Sequence, residues 1–403
     1  MPRRRHREVP PTAGLPLRLS DLRPGAAVLT ERIEAQLGVP SLQLECSGTA
    51  SLLLALRVLR QRQPQRSVVV VPAYTCPLVA IAVHSLGLKL RLCDLQPGHY
   101  DMEPAQLAAA CREDTLAVLP THLAGRVADV DTAVAIAAKV GAAVIEDAAQ
   151  ALGARDGGAS VGLRGDLGFF SLAAGKGLSI YEGGLLLTRD AGLRDELQRA
   201  HATAVPPRLD WELRRSVQLL GLAALYRPHG LGLAYGRPLR AALRRGDPVA
   251  AVGDDFPAAI PQHRVGRWRQ AVGAHAATRL PGFHETLRAQ AQPRLARLRQ
   301  IDGVHVFDDP PHAQGTWPFL LLRLPDERRR DEALARLWTA GLGVSRLFIH
   351  ALPDYAYLAD RVPQEPMPNA RDFAARTLTI SNSPWLGDDD FEAICGTLER
   401  VLA

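Results

Sequence analysis

The stretch SLAAGKGLSIYEGG (residues 171–184) places a lysine between two glycines. Of the 48 Lys plus Arg in the chain only Lys89, Lys139 and Lys176 are lysine, which leaves 45 arginines. A guanidinium stays protonated, whereas an ε-amine can lose its proton and form a Schiff base with a carbonyl. Lys176 is therefore the first candidate for covalent chemistry, set against the alternative of an exposed loop charge. A Walker-type phosphate loop is excluded, because that pattern needs glycine where Phe170 stands and Ser or Thr where Gly177 stands.

Other candidates sit where a chain of this pattern would gather them. Short apolar runs at 68–72, 88–94, 116–120, 142–147, 167–172 and 183–188 alternate with segments of helical periodicity at 50–60, 79–86, 103–111 and 131–141. That alternation predicts βαβ winding around a mostly parallel sheet, and such sheets bind ligands at the C-terminal ends of their strands. The polar residues expected there are Tyr74, Thr75, His122, Glu146, Asp147, Gln150 and Ser171. Ser47, Gly48 and Thr49 precede the apolar helix that starts near 50, so they read either as a phosphate cradle at a positive helix end or as an ordinary N-cap. Asp147 and Gln150 read either as a pair turned to one side, the acid awaiting a cation, or as a helix cap with a surface amide.

Length and composition bound the rest. At 403 residues with 47% hydrophobic and 22% charged residues, the chain suits a globular protein of two lobes. The expected division is an N-terminal segment over 1–25, a large lobe over 26–250 and a smaller α+β lobe over 251–403 opened by a long helical stretch at 264–299. Cys46, Cys76, Cys93, Cys111 and Cys395 form no CxxC pair, which predicts reduced thiols in a cytoplasm and no metal site. The start MPRRRHREVPPTAG is basic without an apolar run behind it, and no stretch of membrane-spanning length occurs, so neither export nor a membrane span is expected. The net charge of +6 suits anionic small molecules, and no nucleic-acid-binding motif accompanies it. Within 211–246 there are seven arginines against one acid, Glu212. That segment reads either as helices packed at an interface, broken by Pro228 and Pro238, or as an amphipathic contact with a membrane surface.

Taken in order, the stretches CSGTASLLLAL, VVVPAYTCP, THLAGRVAD, VIEDAAQALGA and RGDLGFFSLAAGKGLSIYEGGLLLT resemble the DegT-StrS family of pyridoxal phosphate (PLP) aminotransferases. The resemblance extends more weakly through IPQHRVGRWRQAVGAHAA and RTLTISNSPWLGDDDFEAI, and so over nearly the whole chain. It implies an aspartate-aminotransferase-type fold, a homodimer, and transfer of an amino group from L-glutamate to a keto group, typically of a nucleotide-linked deoxysugar, by ping-pong chemistry. Related PLP enzymes that dehydrate or act on a non-sugar ring, and PLP-bound regulatory proteins, are the alternatives. By residue, the resemblance implies that Lys176 forms the internal aldimine, Asp147 pairs with the pyridinium nitrogen and Gln150 lies near the phenolic oxygen. Gly48, Thr49 and Ser171, with Ser47, would hold the phosphate. Where the family carries an aromatic residue over the ring this chain has Cys76, with Tyr74 or His122 as substitutes. Where a partner subunit commonly donates an Asn to the phosphate it has Gln262. Arg264 and His350 are the candidates for substrate contact.

Overall fold

The structure is a computed structural model describing residues 7–403, and the basic cluster Arg3–Arg5 lies outside the described residues. Fourteen strands form, in chain order β1 (Leu42–Glu45), β2 (Val68–Pro72), β3 (Lys89–Cys93), β4 (Thr115–Val118), β5 (Ala143–Asp147), β6 (Arg155–Asp156), β7 (Ala159–Ser160), β8 (Leu167–Ser171), β9 (Gly184–Leu187), β10 (His305–Val306), β11 (Ala313–Gln314), β12 (Phe319–Arg323), β13 (Val344–Ser345) and β14 (Thr377–Ser381). The apolar runs 68–72 and 167–172 become β2 and β8, whose residues are all buried. Each fully buried Val of β2 contributes about 1.5–3 kcal/mol relative to an exposed one, and covering both faces of such strands requires helices on each side.

The main sheet has the order β1-β9-β8-β5-β4-β2-β3. β3, β2, β4, β5 and β8 are parallel, and β9 alone runs against its neighbours. This is the mixed, mostly parallel sheet that the alternating pattern predicts. A second, antiparallel sheet of order β10-β12-β14-β13 carries the C-terminal part, and the helix Asp388–Leu402 packs on it through Phe391, Ile394, Cys395 and Leu398. Three two-residue strands make a small sheet of order β11-β6-β7.

The N-terminal segment crosses to the second sheet before it reaches the first. Val9 joins the core of the antiparallel sheet, and its N–H donates to Gly341 O at 2.9 Å. Ala13 then donates to Pro318 O and Leu15 to Gly177 O, so the segment ties the antiparallel sheet to the lysine loop.

Two expectations are refined. The helical stretch at 264–299 is two helices, Arg267–Ala277 and Leu280–Leu298, separated where Pro281 sits at the start of the second. Proline is tolerated in a first turn and would have broken a continuous helix at that point. The arginine-rich segment begins with one unbroken helix, Leu209–Leu225, and only then divides into the short helices Pro228–Leu231, Arg237–Arg244 and Pro248–Val252. Among the described residues no helix is long and apolar enough to cross a membrane, and no cluster of metal-ligating side chains forms.

Candidate active site

The C-terminal ends of β1, β2, β4, β5 and β8 open into one cavity of about 1000 Å³. Ser47, Gly48, Thr49, Thr75, Cys76, Thr121, His122, Asp147, Gln150, Ser171 and Lys176 all line it. Residues separated by up to 129 positions thus meet because parallel strands deliver their ends to the same edge.

Ser47 caps the helix Gly48–Arg62, its side-chain oxygen accepting the Ala50 N–H at 3.0 Å. The cap and the cradle readings of Ser47–Thr49 are therefore both present, since first-turn N–H groups without intrahelical acceptors lie at the cavity wall and favour an anion. The approach of β9 to this turn needs a residue without a side chain, because a Cβ on Gly184 would stand 2.2 Å from Ser47 O.

Lys176 sits in a loop turned by Gly175 at φ +83°. Thr12 Oγ1 donates to Gly175 O at 2.6 Å and Leu15 N–H to Gly177 O at 2.9 Å, so the N-terminal segment clamps both sides of the lysine. Tyr226 fixes that clamp: its hydroxyl donates to Thr12 O at 3.0 Å and accepts the Gly14 N–H at 2.9 Å. The amine forms no ion pair among the described residues. Its side chain is half-buried in the cavity lining. Burial accordingly pushes its pKa below the usual lysine value, against the opposing pull of Cys76 and Asp147.

Asp147 ends β5 with 5% of its surface exposed. Its Oδ1 accepts the Ala149 N–H at 3.0 Å, and its Oδ2 has no partner among the described residues. Burial raises its pKa, while the Ala149 N–H, Lys176 and His122 oppose the rise. A carboxylate in this state is completed by a cation inside the cavity. Gln150 lines the same wall, with Oε1 held by the Ala124 N–H at 2.8 Å.

His122 is locked from both nitrogens. Nδ1 accepts the Ala128 N–H at 3.0 Å, so the proton sits on Nε2, which donates to Glu146 Oε2 at 2.9 Å. Glu146 also accepts N–H groups from Gly162 at 2.7 Å, Arg164 at 2.6 Å and Gly165 at 2.8 Å. Burial would raise the Glu146 pKa, but the His122 hydrogen bond and the backbone donors outweigh it and leave it lowered. A carboxylate whose folded pKa is depressed adds stability that is complete above its ordinary value of 4.5 and is lost as pH falls through the lower folded value. Glu146→Ala would orphan four donors, those of His122 and Gly162 buried, and is expected to cost about 3–5 kcal/mol. Urea denaturation at pH 7 and pH 4 checks this, and a variant as stable as the parent at pH 7 would refute it.

Several expectations need correction. Tyr74 does not face the cavity: its ring packs edge-on against Phe348 and Phe373, and its hydroxyl bonds the Phe348 backbone at 3.1 Å. Residues 73–75 form a bend after β2, which brings Thr75 and Cys76 to the cavity and packs Tyr74 behind it. Arg264 lies outside the cavity, its guanidinium on the carbonyls of Val205 and Ala202. His350 is also outside, edge-on against Tyr355. Gln262 is a separate case: its implied role is toward the phosphate of a partner subunit, and in its own chain Pro261 rather than Gln262 lines the cavity. Cys76 lines it, and burial pushes its thiol up to about 12, so the group stays protonated.

Sequence reasoning gave no role to Glu182, Trp211, Asp254 or Arg346, which also line the cavity. Arg215, itself in the lining, pairs with Glu182 and lies over Trp211 at 4.9 Å. Burial raises the Glu182 pKa, but the His263 and Arg215 contacts bring it below the ordinary value.

This set fits PLP. An amine shifted toward its neutral form, a buried carboxylate oxygen awaiting a cation, a helix N-terminus with hydroxyls and a locked imidazole share one enclosed space.

Comparisons with known proteins agree with the architecture. The sequence model of the DegT/DnrJ/EryC1/StrS aminotransferase family matches residues 28–221 and 263–399. Protein MosB of Rhizobium meliloti is 39% identical over 167 residues, covering 41% of this chain and 32% of its own. The UDP-N-acetyl-3-dehydro-alpha-D-glucosamine 3-aminotransferase of Acidithiobacillus ferrooxidans is 40% identical over 153 residues, 38% of this chain and 41% of its own. The chain thus spans less than half the length of either relative. The crystal structure of DesI in the presence of its TDP-sugar product superposes with a TM-score of 0.73 at 22% identity, covering 98% of this chain and 93% of that one, and so shares its fold. With the family match covering all three sheets and every strand end that meets in the cavity, the chain belongs to the DegT/DnrJ/EryC1/StrS aminotransferase family.

Proposed function

We propose that the protein is a PLP-dependent aminotransferase that moves an amino group from L-glutamate to the keto group of a nucleotide-linked deoxysugar, working as a cytoplasmic homodimer. The observation that carries this reading is the Lys176 amine, unpaired and lowered in pKa, in the same cavity as the unpartnered Oδ2 of Asp147. PLP, when bound, supplies the electron-accepting ring through which the amino group passes.

This chain's own residues do the rest. Lys176 would hold the cofactor and, as a free amine, would accept and return the proton that moves during transfer. Asp147 would hold a proton at the ring nitrogen. The His122 imidazole, fixed by Glu146 and Ala128, would cover the cofactor in place of the family's aromatic residue. Ser47, Gly48, Thr49 and Ser171 would hold the phosphate, and Gln150 would offer its amide to the cofactor's ring oxygen. Arg214 lines the cavity, is exposed and has no carboxylate partner among the described residues, which suits the diphosphate of a nucleotide-linked acceptor. Exposed Leu209, Leu213, Val217 and Leu220 on the same helix supply an apolar face for a second subunit.

The test is near-ultraviolet and visible absorbance of the purified protein with PLP, before and after L-glutamate. The expected result is a visible band of lysine-bound cofactor that glutamate converts to the shorter-wavelength band of the aminated cofactor. A protein that binds PLP without such a band, or whose band ignores glutamate, contradicts the lysine assignment or the donor respectively.

A further inference from the structure

The family match leaves out residues 222–262, yet this segment does not project into solvent. It folds back over the cavity and walls it with Leu231, Val252, Phe256 and Ile260. Asp254 is the one acid this segment brings to the lining, and it is 4% exposed. Its Oδ2 accepts the Ile349 N–H at 3.0 Å and the Tyr355 hydroxyl at 2.6 Å, and the Tyr357 hydroxyl donates to its backbone carbonyl. Oδ1 has no hydrogen bond, and no cationic side chain forms an ion pair with Asp254 among the described residues.

Anchoring the segment to Tyr355 uses one carboxylate oxygen only. The second oxygen, in a side chain that lines the cavity, is left without a protein partner among the described residues, which a structural tether does not require. In an enclosed cavity it is compensated when a ligand brings a hydrogen-bond donor.

We infer that Asp254 is a specificity-determining residue for the acceptor: its Oδ1 accepts a hydrogen bond from a hydroxyl or amino substituent of the keto ring that receives the amine. This inference rests on the aminotransferase reading above. It selects a hydroxylated or amino-substituted ring over the analogue that lacks that substituent. Arg346, on the same lining, makes no ion pair among the described residues; its Nη2 donates to Ile349 O and Ala374 O at 2.7 Å, so it orders the backbone beside Asp254 and acts on the carboxylate only at longer range. A site built to hydrogen-bond a substrate hydroxyl rejects the analogue lacking it far more strongly than an apolar pocket separates homologues.

The experiment separates the two half-reactions. PLP-loaded enzyme is first converted with L-glutamate, then mixed with UDP-N-acetyl-3-dehydro-α-D-glucosamine, with keto rings lacking one hydroxyl beside the ketone, and with pyruvate. Wild type is expected to prefer the hydroxylated ring over its deoxy analogue by roughly 10²-fold in kcat/KM. Asp254→Asn turns an amide N–H into the cavity while keeping the Tyr355 anchor, and is expected to erase most of that preference, with the glutamate half-reaction slowed less than threefold. Tyr355→Phe removes a donor to Oδ2 only and retains the preference. A wild type that aminates pyruvate but no keto ring, or that shows no hydroxyl preference, overturns the inference while leaving the aminotransferase reading intact. A wild type that glutamate does not convert overturns that reading and the inference with it.

Discussion

Replacing Lys176 with alanine is expected to remove the visible cofactor band and to lower transamination by roughly 10⁴-fold or more, because one amine performs both attachment and proton transfer. No second lysine can take its place. Lys89 and Lys139 are exposed on the surface, outside the cavity. Lys176→Arg fails equally, since a guanidinium neither gives up its proton nor forms the Schiff base. The clamp of Thr12 and Leu15 on the flanking carbonyls holds the loop without using the lysine side chain, so the alanine variant should fold. Borohydride reduction of the PLP-loaded wild type, followed by peptide mass analysis, is expected to place one adduct on Lys176. An adduct on Lys89 or Lys139 at wild-type occupancy in the alanine variant would end the assignment.

How much of this was legible without the structure depended on how local each signal is. Buried parallel strands announce themselves as continuous apolar runs, and 68–72, 143–147 and 167–171 were readable for that reason. β1, with the sequence LQLE, was not read as a strand, because it pairs only with β9 and its interior pair Gln43–Leu44 is partly exposed. The two-residue strands β6, β7, β11 and β13 exist through tertiary pairing and carry no periodicity. Tyr74 and Thr75 were both visible as strand-end residues, and the bend that follows β2, which carries no periodicity, decides which of them faces the cavity. Asp254 lies in a Pro- and Gly-rich segment with nothing local to mark it. Its anchors, Ile349 and Tyr355, stand 95 and 101 residues away. Lys176, Asp147, Gln150 and Ser171 were legible because their order along the chain follows the order of strand ends around one cavity. The clamp from residue 12 through Tyr226 to the lysine loop spans 214 residues and appears only in three dimensions.

Asp147→Asn should dissociate activity from stability. With PLP bound, the lost carboxylate no longer holds a proton on the ring nitrogen, and the proton-transfer rate is expected to fall by roughly 10³-fold while binding persists through the phosphate cradle. Without cofactor the effect on the fold has the opposite sign. The folded-state pKa of Asp147 is raised above its ordinary 3.8, chiefly by burial, so the folded chain binds this proton more tightly than the unfolded chain. Stability then declines as pH rises from about 3.8 through the folded value, and at neutral pH the ionised group is a net cost. The asparagine variant retains an oxygen for the Ala149 N–H and discards that cost. Cofactor-free Asp147→Asn should therefore melt at or above the wild-type temperature at pH 7, and the advantage should vanish toward pH 4. A residue that merely supported the strand end would give the reverse, a lower melting temperature with activity falling in proportion to the folded fraction. Melting curves at the two pH values, set beside single-turnover rates with L-glutamate, decide between them.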